Sequence, residues 1–219
     1  MHKIALYDLD KTITTKPTWT PFLIAAARAR APWRLTLLPI AGGWGLAHKM
    51  GAASRAGVKA RAQALLIGPA LPDPARRLLA ERFAARVRLR PGALARIAAD
   101  RAEGYRLVLA TASFGYYAGA IAARLGFDAV IATEAAQDAH GWRPRLVGEN
   151  CYGAAKLRRI TAWLDAQGIA RDAARLRFYS DHVSDAPTLA WADEAFAVNP
   201  DGRLRRLAQA RGWPVLDWG

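Results

Sequence analysis

Short apolar runs, four or five residues long and each stopped by acids or hydroxyls, recur along the chain and alternate with amphipathic stretches. The first covers residues 3–7, with Ile4, Ala5, Leu6 and Tyr7, and stops at Asp8 and Asp10. The next clear strand is predicted over 106–110, containing Leu107, Val108 and Leu109. A helix opening at Pro91 and Gly92 precedes it, with Leu94, Ile97 and Ala98 on one face. A helix over 116–125, closed by Gly126, follows it, then a strand at 129–132 and a hairpin through Gly141 flanked by Trp142 and Leu146. Helices at 154–166, 186–191 and 203–210 alternate with strands at 176–179 and 195–198, and a last strand lies near Val215. The fold class this predicts is α/β, a doubly wound parallel sheet covered on both faces. Such sheets bind ligands beyond the C-terminal ends of their strands, where the acids and hydroxyls discussed below fall.

Residues 15–90 break the alternation and read as helix throughout: 19–30, 33–48, 54–67 and 74–88, separated by Pro32, Gly51 and residues 69–72. The expected organisation is a core of residues 1–14 and 91–219 with an all-helical insert at 15–90. Within the insert, residues 35–47 carry no charge but are interrupted by Pro39, Gly42 and Gly43. That segment is too short to cross a bilayer as a helix, which takes about 20 residues. The chain shows no internal repeat or low-complexity tract.

Composition narrows the class. A hydrophobic fraction of 53% excludes a largely disordered chain. One cysteine, Cys151, cannot form an internal disulfide. The first apolar run is too short, and too soon interrupted by acid, to act as a secretory signal. A cytoplasmic protein is therefore expected, with the inner membrane surface as a peripheral location. The formal net charge is +14, and its distribution is uneven. Residues 15–90 hold 14 of the 32 basic residues but only two of the 18 acids, Asp73 and Glu81. Such a field draws in phosphorylated substrates, anionic lipid or nucleic acid, although an arginine-rich composition also serves solubility.

Four elements carry candidate chemistry, each with a plainer structural reading beside it. Asp8 and Asp10 leave the sheet two residues apart, so one carboxylate can attack phosphorus while the other moves protons; an acidic pair is also a common turn or helix-cap composition. Thr111-Ala112-Ser113 offers a hydroxyl and free backbone N–H groups to a phosphate oxygen, or an N-cap at Ser113. Lys156, near a helix start after Gly153, can neutralise phosphate and nucleophile together, or sit solvated at the surface. Ser180-Asp181-His182-Val183-Ser184-Asp185 places two acids four apart, able to hold a hard divalent cation. His182 is a candidate for the leaving group or for shaping that loop. Cys151 is expected as a packed side chain, and Asn199-Pro200-Asp201 as a turn and N-cap.

In this order, each after its own strand, the four elements resemble the haloacid dehalogenase-like hydrolase superfamily along nearly the whole chain. Residues 149–156, Glu-Asn-Cys-Tyr-Gly-Ala-Ala-Lys, resemble its phosphoserine-phosphatase-like branch. The resemblance implies Asp8 as nucleophile and metal ligand, and Asp10 as acid/base with its backbone carbonyl on the metal. It implies Thr111, Ala112 and Lys156 on phosphate, Asp181 on magnesium, Asp185 in support of that metal, and residues 15–90 as the cap. Ser180 departs from the glycine that many members carry there. An acid at position 10 disfavours dehalogenase and cation-pump chemistry. A phosphonate-cleaving member would need a Schiff-base lysine, and nothing in the sequence marks Lys16, Lys49 or Lys59 as buried. The expected activity is magnesium-dependent phosphomonoester hydrolysis through an aspartyl-phosphate. A phosphotransferase would share every one of these residues and differ only in the acceptor.

The insert also carries apolar groups that read as exposed: Trp19, Phe22, Leu23, Ile24, Trp33, Leu35, Leu37, Leu38, Ile40, Trp44 and Leu46. Apolar helices with Trp near arginines fit an anionic membrane interface. The stretch Leu37-Leu38-Pro39-Ile40 resembles the caps of phosphatidylglycerophosphate phosphatases. The expected partner is a phospholipid head group or a small soluble ester such as phosphoserine, in which case these side chains form the insert's own core. Nucleic acid is not expected, since binding it would not need the four elements in order.

Overall fold

The structure, a computed structural model, describes residues 1–52 and 54–219, apart from the side chains of Lys49 and Arg55. Its seven strands are β1 (His2–Tyr7), β2 (Arg106–Phe114), β3 (Ala129–Asp138), β4 (Gly141–Val147), β5 (Ala174–Ser180), β6 (Glu194–Val198) and β7 (Val215–Leu216). They form one sheet in the order β4-β3-β2-β1-β5-β6-β7, parallel except for the β3–β4 hairpin. Alternation along β1 sorts its side chains between two cores. Ile4 and Leu6 face one layer, with Ile160 and Leu164 of α7 (Ala154–Ala166), Leu189 of α8 (Ala186–Trp191) and Leu204 of α9 (Gly202–Arg211). Ala5 and Tyr7 face the other, with Ile97 of α5 (Pro91–Ala102), Tyr117 of α6 (Gly115–Arg124) and the helical insert. This is the doubly wound α/β fold expected.

The insert holds α1 (Trp19–Arg30), α2 (Leu38–Lys49), α3 (Arg55–Leu66) and α4 (Asp73–Arg86). The helix expected over 33–48 is divided. A single-turn segment, Pro32–Leu37, comes first, and α2 restarts at Leu38, because Pro39 lacks an N–H and fits only the first turn of a helix. The chain enters and leaves the insert side by side: Thr14 pairs antiparallel with Leu89, Thr15 N–H donates to Arg88 (3.1 Å) and Arg90 N–H to Ile13 (2.9 Å). A second tie pairs Leu71 with Trp142 at the start of β4. Gly141 permits it, since its φ is +107° and a Cβ there would lie 2.4 Å from the Leu71 carbonyl oxygen.

Burial splits the apolar residues of the insert. Phe22 and Leu23 are buried, correcting the expectation of exposure: Phe22 stacks on Tyr117 of α6 at 4.5 Å and meets Phe83 of α4 edge-on. Trp33, Ile40 and Leu46 are 62%, 50% and 58% exposed, so the 32–49 segment keeps an apolar face in solvent. Among the described residues no helix is long and apolar enough to cross a membrane.

Candidate active site

The C-terminal ends of β1, β2 and β5 converge with the N-terminus of α7 on a cavity of ~230 Å³, lined among others by Asp8, Asp10, Ala112, Lys156, Asp181 and Asp185. A larger groove, ~780 Å³, lies between Arg30, Arg34 and the 137–141 turn. It holds none of these residues, so chemistry rather than size selects the site.

Asp8 closes β1, its N–H donating to Tyr179 of β5 (2.9 Å). The following turn, residues 9–13, is tight and places Lys11 in the left-handed region at φ 64°, turning Thr12 back beneath the site. Thr12 Oγ1 accepts from the Asp181 N–H (3.1 Å) and lies 3.3 Å from Asp8 Oδ2 and 3.4 Å from Asp181 Oδ1, spacing the two carboxylates. Lys156 is buried. Gly153, at φ 60° before α7, takes a backbone conformation that only glycine adopts freely and starts the helix that delivers this lysine. Its ammonium donates to Asp8 Oδ1 (2.8 Å) and Asp185 Oδ2 (2.6 Å). Ser180 Oγ donates to the same Asp185 oxygen (2.7 Å), so the residue that departs from the family's glycine fixes the lysine's second anchor. Asp185 thus supports Lys156 directly.

Burial lifts the Asp8 carboxyl to about 6, opposed by the Lys156 charge and reinforced by Asp185. Burial and the nearby Asp8 charge lift Asp181 to about 7. Burial alone would lower Lys156, but Asp185 and Asp8 hold its ammonium well above the ordinary lysine value. Lys156 therefore offsets charge on Asp8 by direct contact, while Asp181, raised by burial and by Asp8, holds its negative charge less readily.

Asp10 points into a hydroxyl network. Its Oδ1 accepts from the N–H and Oγ1 of Thr18 (both 2.7 Å), and its Oδ2 from Ser113 Oγ (2.9 Å). Ser113 also accepts from the Tyr117 hydroxyl (2.7 Å). Hydroxyls can exchange donor and acceptor roles, so the network serves Asp10 with or without a proton. The expected capping role of Ser113 does not occur. Strand β2 stays paired with β3 across a bulge as far as Phe114, and Phe114 precedes α6. Thr111 is buried beneath the cavity, its Oγ1 accepting from Ser113 N–H (3.0 Å), while Ala112 reaches the lining.

Among the described residues no group of three or more His, Cys, Asp or Glu side chains is set to hold a metal ion. The donors that do meet, two buried carboxylates both raised by burial, with Asp181 raised further by Asp8, suit magnesium, which takes one or two carboxylates and keeps several waters. His182 lines the cavity, but its Nδ1 accepts from Ser184 N–H (3.1 Å), which shapes the loop. Burial raises the Cys151 thiol to about 11, as befits a packed side chain. Asp201 caps α9 as expected, accepting from Leu204 N–H (2.6 Å).

Of the lysines weighed for Schiff-base chemistry, Lys16 is exposed and the Lys49 side chain lies outside the described residues. Lys59 is buried, which no sequence feature signalled. Its Nζ donates to the Ala112 carbonyl (2.5 Å) and to Asn150 Oδ1 (2.7 Å). Thr12 and Thr18 were also missed as site residues; their roles arise only from the turn that folds them back.

A family model described as haloacid dehalogenase-like hydrolase matches residues 5–190. The phosphoserine phosphatase SerB1 of Mycobacterium tuberculosis is 36% identical over 115 residues, 52% of this chain and 37% of that protein. The histidinol-phosphatase of Neisseria meningitidis serogroup C is 32% identical over 95 residues, 42% of this chain and 43% of its own length. The chain thus spans less than half the length of these curated relatives. A crystal structure of a protein of unknown function from Bordetella pertussis Tohama I superposes with a TM-score of 0.89 at 26% identity, covering all of both chains. A substrate-bound phosphoserine phosphatase shares the fold, with a TM-score of 0.66 at 17% identity, covering 99% of this chain and 93% of that one. The chain belongs to the haloacid dehalogenase-like hydrolases.

Proposed function

We propose that this chain is a magnesium-dependent phosphomonoesterase that works through an aspartyl-phosphate on Asp8. The observation that carries the reading is the Asp8–Lys156–Asp185 arrangement, a buried carboxylate anion held by a fixed ammonium, with Asp10 facing the same cavity. An Asp8 oxygen attacks phosphorus as the bond to the leaving oxygen breaks, and Asp10 gives that oxygen its proton. Asp10 then takes a proton from water, the water oxygen attacks the phosphoryl group, and Asp8 is released with orthophosphate. Lys156 offsets charge on nucleophile and phosphate, and Ala112, at the bulged end of β2, lines the cavity where the phosphate would sit. Asp8, Asp181 and the Asp10 backbone carbonyl would hold magnesium, whose chemistry is to polarise the phosphoryl oxygens. Residues 15–90 act as the cap.

The substrate reading is a phospholipid-type phosphomonoester, with phosphatidylglycerophosphate as the leading candidate. The exposed apolar face at Trp33, Ile40 and Leu46, within an insert whose other segments are rich in basic residues, supports peripheral contact with an anionic membrane. The cavity is smaller than the roughly 300–1,000 Å³ of pockets that enclose a drug-sized ligand, which suits a head group entering alone. A second reading, a soluble ester such as phosphoserine, is favoured by the phosphoserine phosphatase relative. Phosphate release with magnesium from phosphatidylglycerophosphate in anionic micelles, set against phosphoserine and other soluble esters, separates the two. Preference for the lipid supports the first; preference for a soluble ester removes it and leaves the Asp8 chemistry intact.

A further inference from the structure

Lys59 stands out as a charged side chain that the insert buries against the core, only 8% exposed. Burying an ammonium is costly unless strong acceptors meet it, so its partners matter. They include the Ala112 carbonyl, at the bulged end of β2 where it lines the cavity, and Asn150 Oδ1, in the loop before α7; the Phe114 ring lies 5.1 Å from the ammonium. Thr133 Oγ1 lies 2.8 Å from both the Ala112 carbonyl and Asn150 Oδ1 and accepts from Cys151 N–H (3.0 Å), tying the two loops together beneath the lysine.

The Ala112 carbonyl and the Ser113 N–H belong to one peptide unit. An ammonium on the oxygen polarises that unit and strengthens its N–H as a donor. This N–H donates to Thr111 Oγ1, engaging a lone pair and directing the hydroxyl's own hydrogen elsewhere. The same Ser113 donates through Oγ to Asp10. A continuous chain of bonds therefore runs from α3 of the insert to the hydroxyl of Thr111 and to the carboxylate of Asp10. We infer that Lys59 is a positioning residue, the latch through which seating of the helical insert organises the phosphate-binding turn. The inference rests on the phosphatase reading of the site.

The test measures magnesium-dependent hydrolysis of p-nitrophenyl phosphate, whose aryl group carries no separate carboxylate or phosphate for a lysine to bind, by wild type, Lys59→Met and Lys59→Gln. The expected result is a kcat about tenfold or more lower in Lys59→Met, weaker inhibition by orthophosphate, and a smaller loss in Lys59→Gln, which keeps a donor. Unchanged kcat, with loss confined to KM for charged leaving groups, would overturn the latch and make Lys59 a substrate contact. Hydrogen exchange on the wild type supplies a readout that survives if the variants do not fold. Orthophosphate with magnesium should slow exchange at residues 111–114 and at residues 56–63 of α3 together; protection of the first without the second overturns the inference. A wild type that neither hydrolyses the ester nor binds orthophosphate instead defeats the phosphatase reading, and the latch with it.

Discussion

Asp8 is asked to be anionic, reactive and buried at once, and the side chains around it show how that is arranged. Lys156 holds Oδ1 at 2.8 Å, while Oδ2 lies 3.3 Å from the Thr12 hydroxyl and, on the proposed mechanism, is the oxygen that attacks phosphorus. Asp8→Asn keeps the shape and removes the nucleophile, so it should abolish phosphate release with an unchanged circular dichroism spectrum; residual turnover at the wild-type level would end the assignment. Ser180→Ala should be milder. It removes one donor to Asp185 and is expected to cost about 1 kcal/mol in urea unfolding, with a reduced kcat as Lys156 loses its fixed anchor. The raised carboxyls also set a pH dependence. Asp8 and Asp181 sit above their unfolded value of about 4, so the folded state binds these protons more tightly. Their contribution to stability is complete below about pH 4 and is lost as pH rises through the range from about 6 to about 7. The melting temperature of the metal-free protein should therefore lose this contribution between about pH 4 and pH 7, and Asp181→Asn should flatten the trend. The carboxyls held low by arginine partners, such as Asp193 and Glu194, act at lower pH and do not mask it.

At the scale of elements, the four insert helices do two different jobs. Helices α1 and α4 pack on α6 through Phe22, Phe83 and Tyr117, an aromatic cluster closed to solvent at Phe22. Phe22→Ala should cost about 3–5 kcal/mol, read as a lower urea midpoint. The 32–49 segment contributes differently, because Trp33, Ile40 and Leu46 lie in water. Leu46→Ser should change stability by less than about 0.5 kcal/mol. On the lipid reading it should still weaken sedimentation with phosphatidylglycerol vesicles, and unchanged sedimentation would count against membrane contact by this face.

For the whole molecule, the charge asymmetry is the property that no single element explains. Nearly all the excess of basic residues lies in the insert, while the sheet's C-terminal ends collect the acids of the site. If the insert docks on anionic lipid, binding should weaken as salt rises, since counter-ions screen exposed charges beyond about 10 Å at 0.1 M. The buried Asp8–Lys156–Asp185 group is shielded from that screening, so turnover of a soluble ester should change far less over the same range. Parallel salt sensitivity of the two would show that the basic insert serves catalysis rather than docking.

The sequence by itself determined the strand order along the chain, the doubly wound α/β class and the place of the helical insert. Those features follow from local information: apolar runs of strand length, helical periodicity, and the proline and glycine breaks between them. The acids and the lysine of the site were legible because each ends a strand or starts a helix, and a parallel sheet gathers those ends on one edge. Tertiary structure alone decided the rest. Ser113 holds Asp10 instead of capping a helix because pairing with β3 carries β2 past the expected end. Ser180 anchors Asp185 because a tight loop returns that acid over the strand. Phe22 and Leu23 are buried while Trp33 and Leu46 are exposed, a division the composition of the insert could not make. Lys59 reaches the core only because α3 lies over the 111–113 turn. Each of these contacts joins residues distant in the chain or turned back by a loop, where burial and partner are properties of packing rather than of the local sequence.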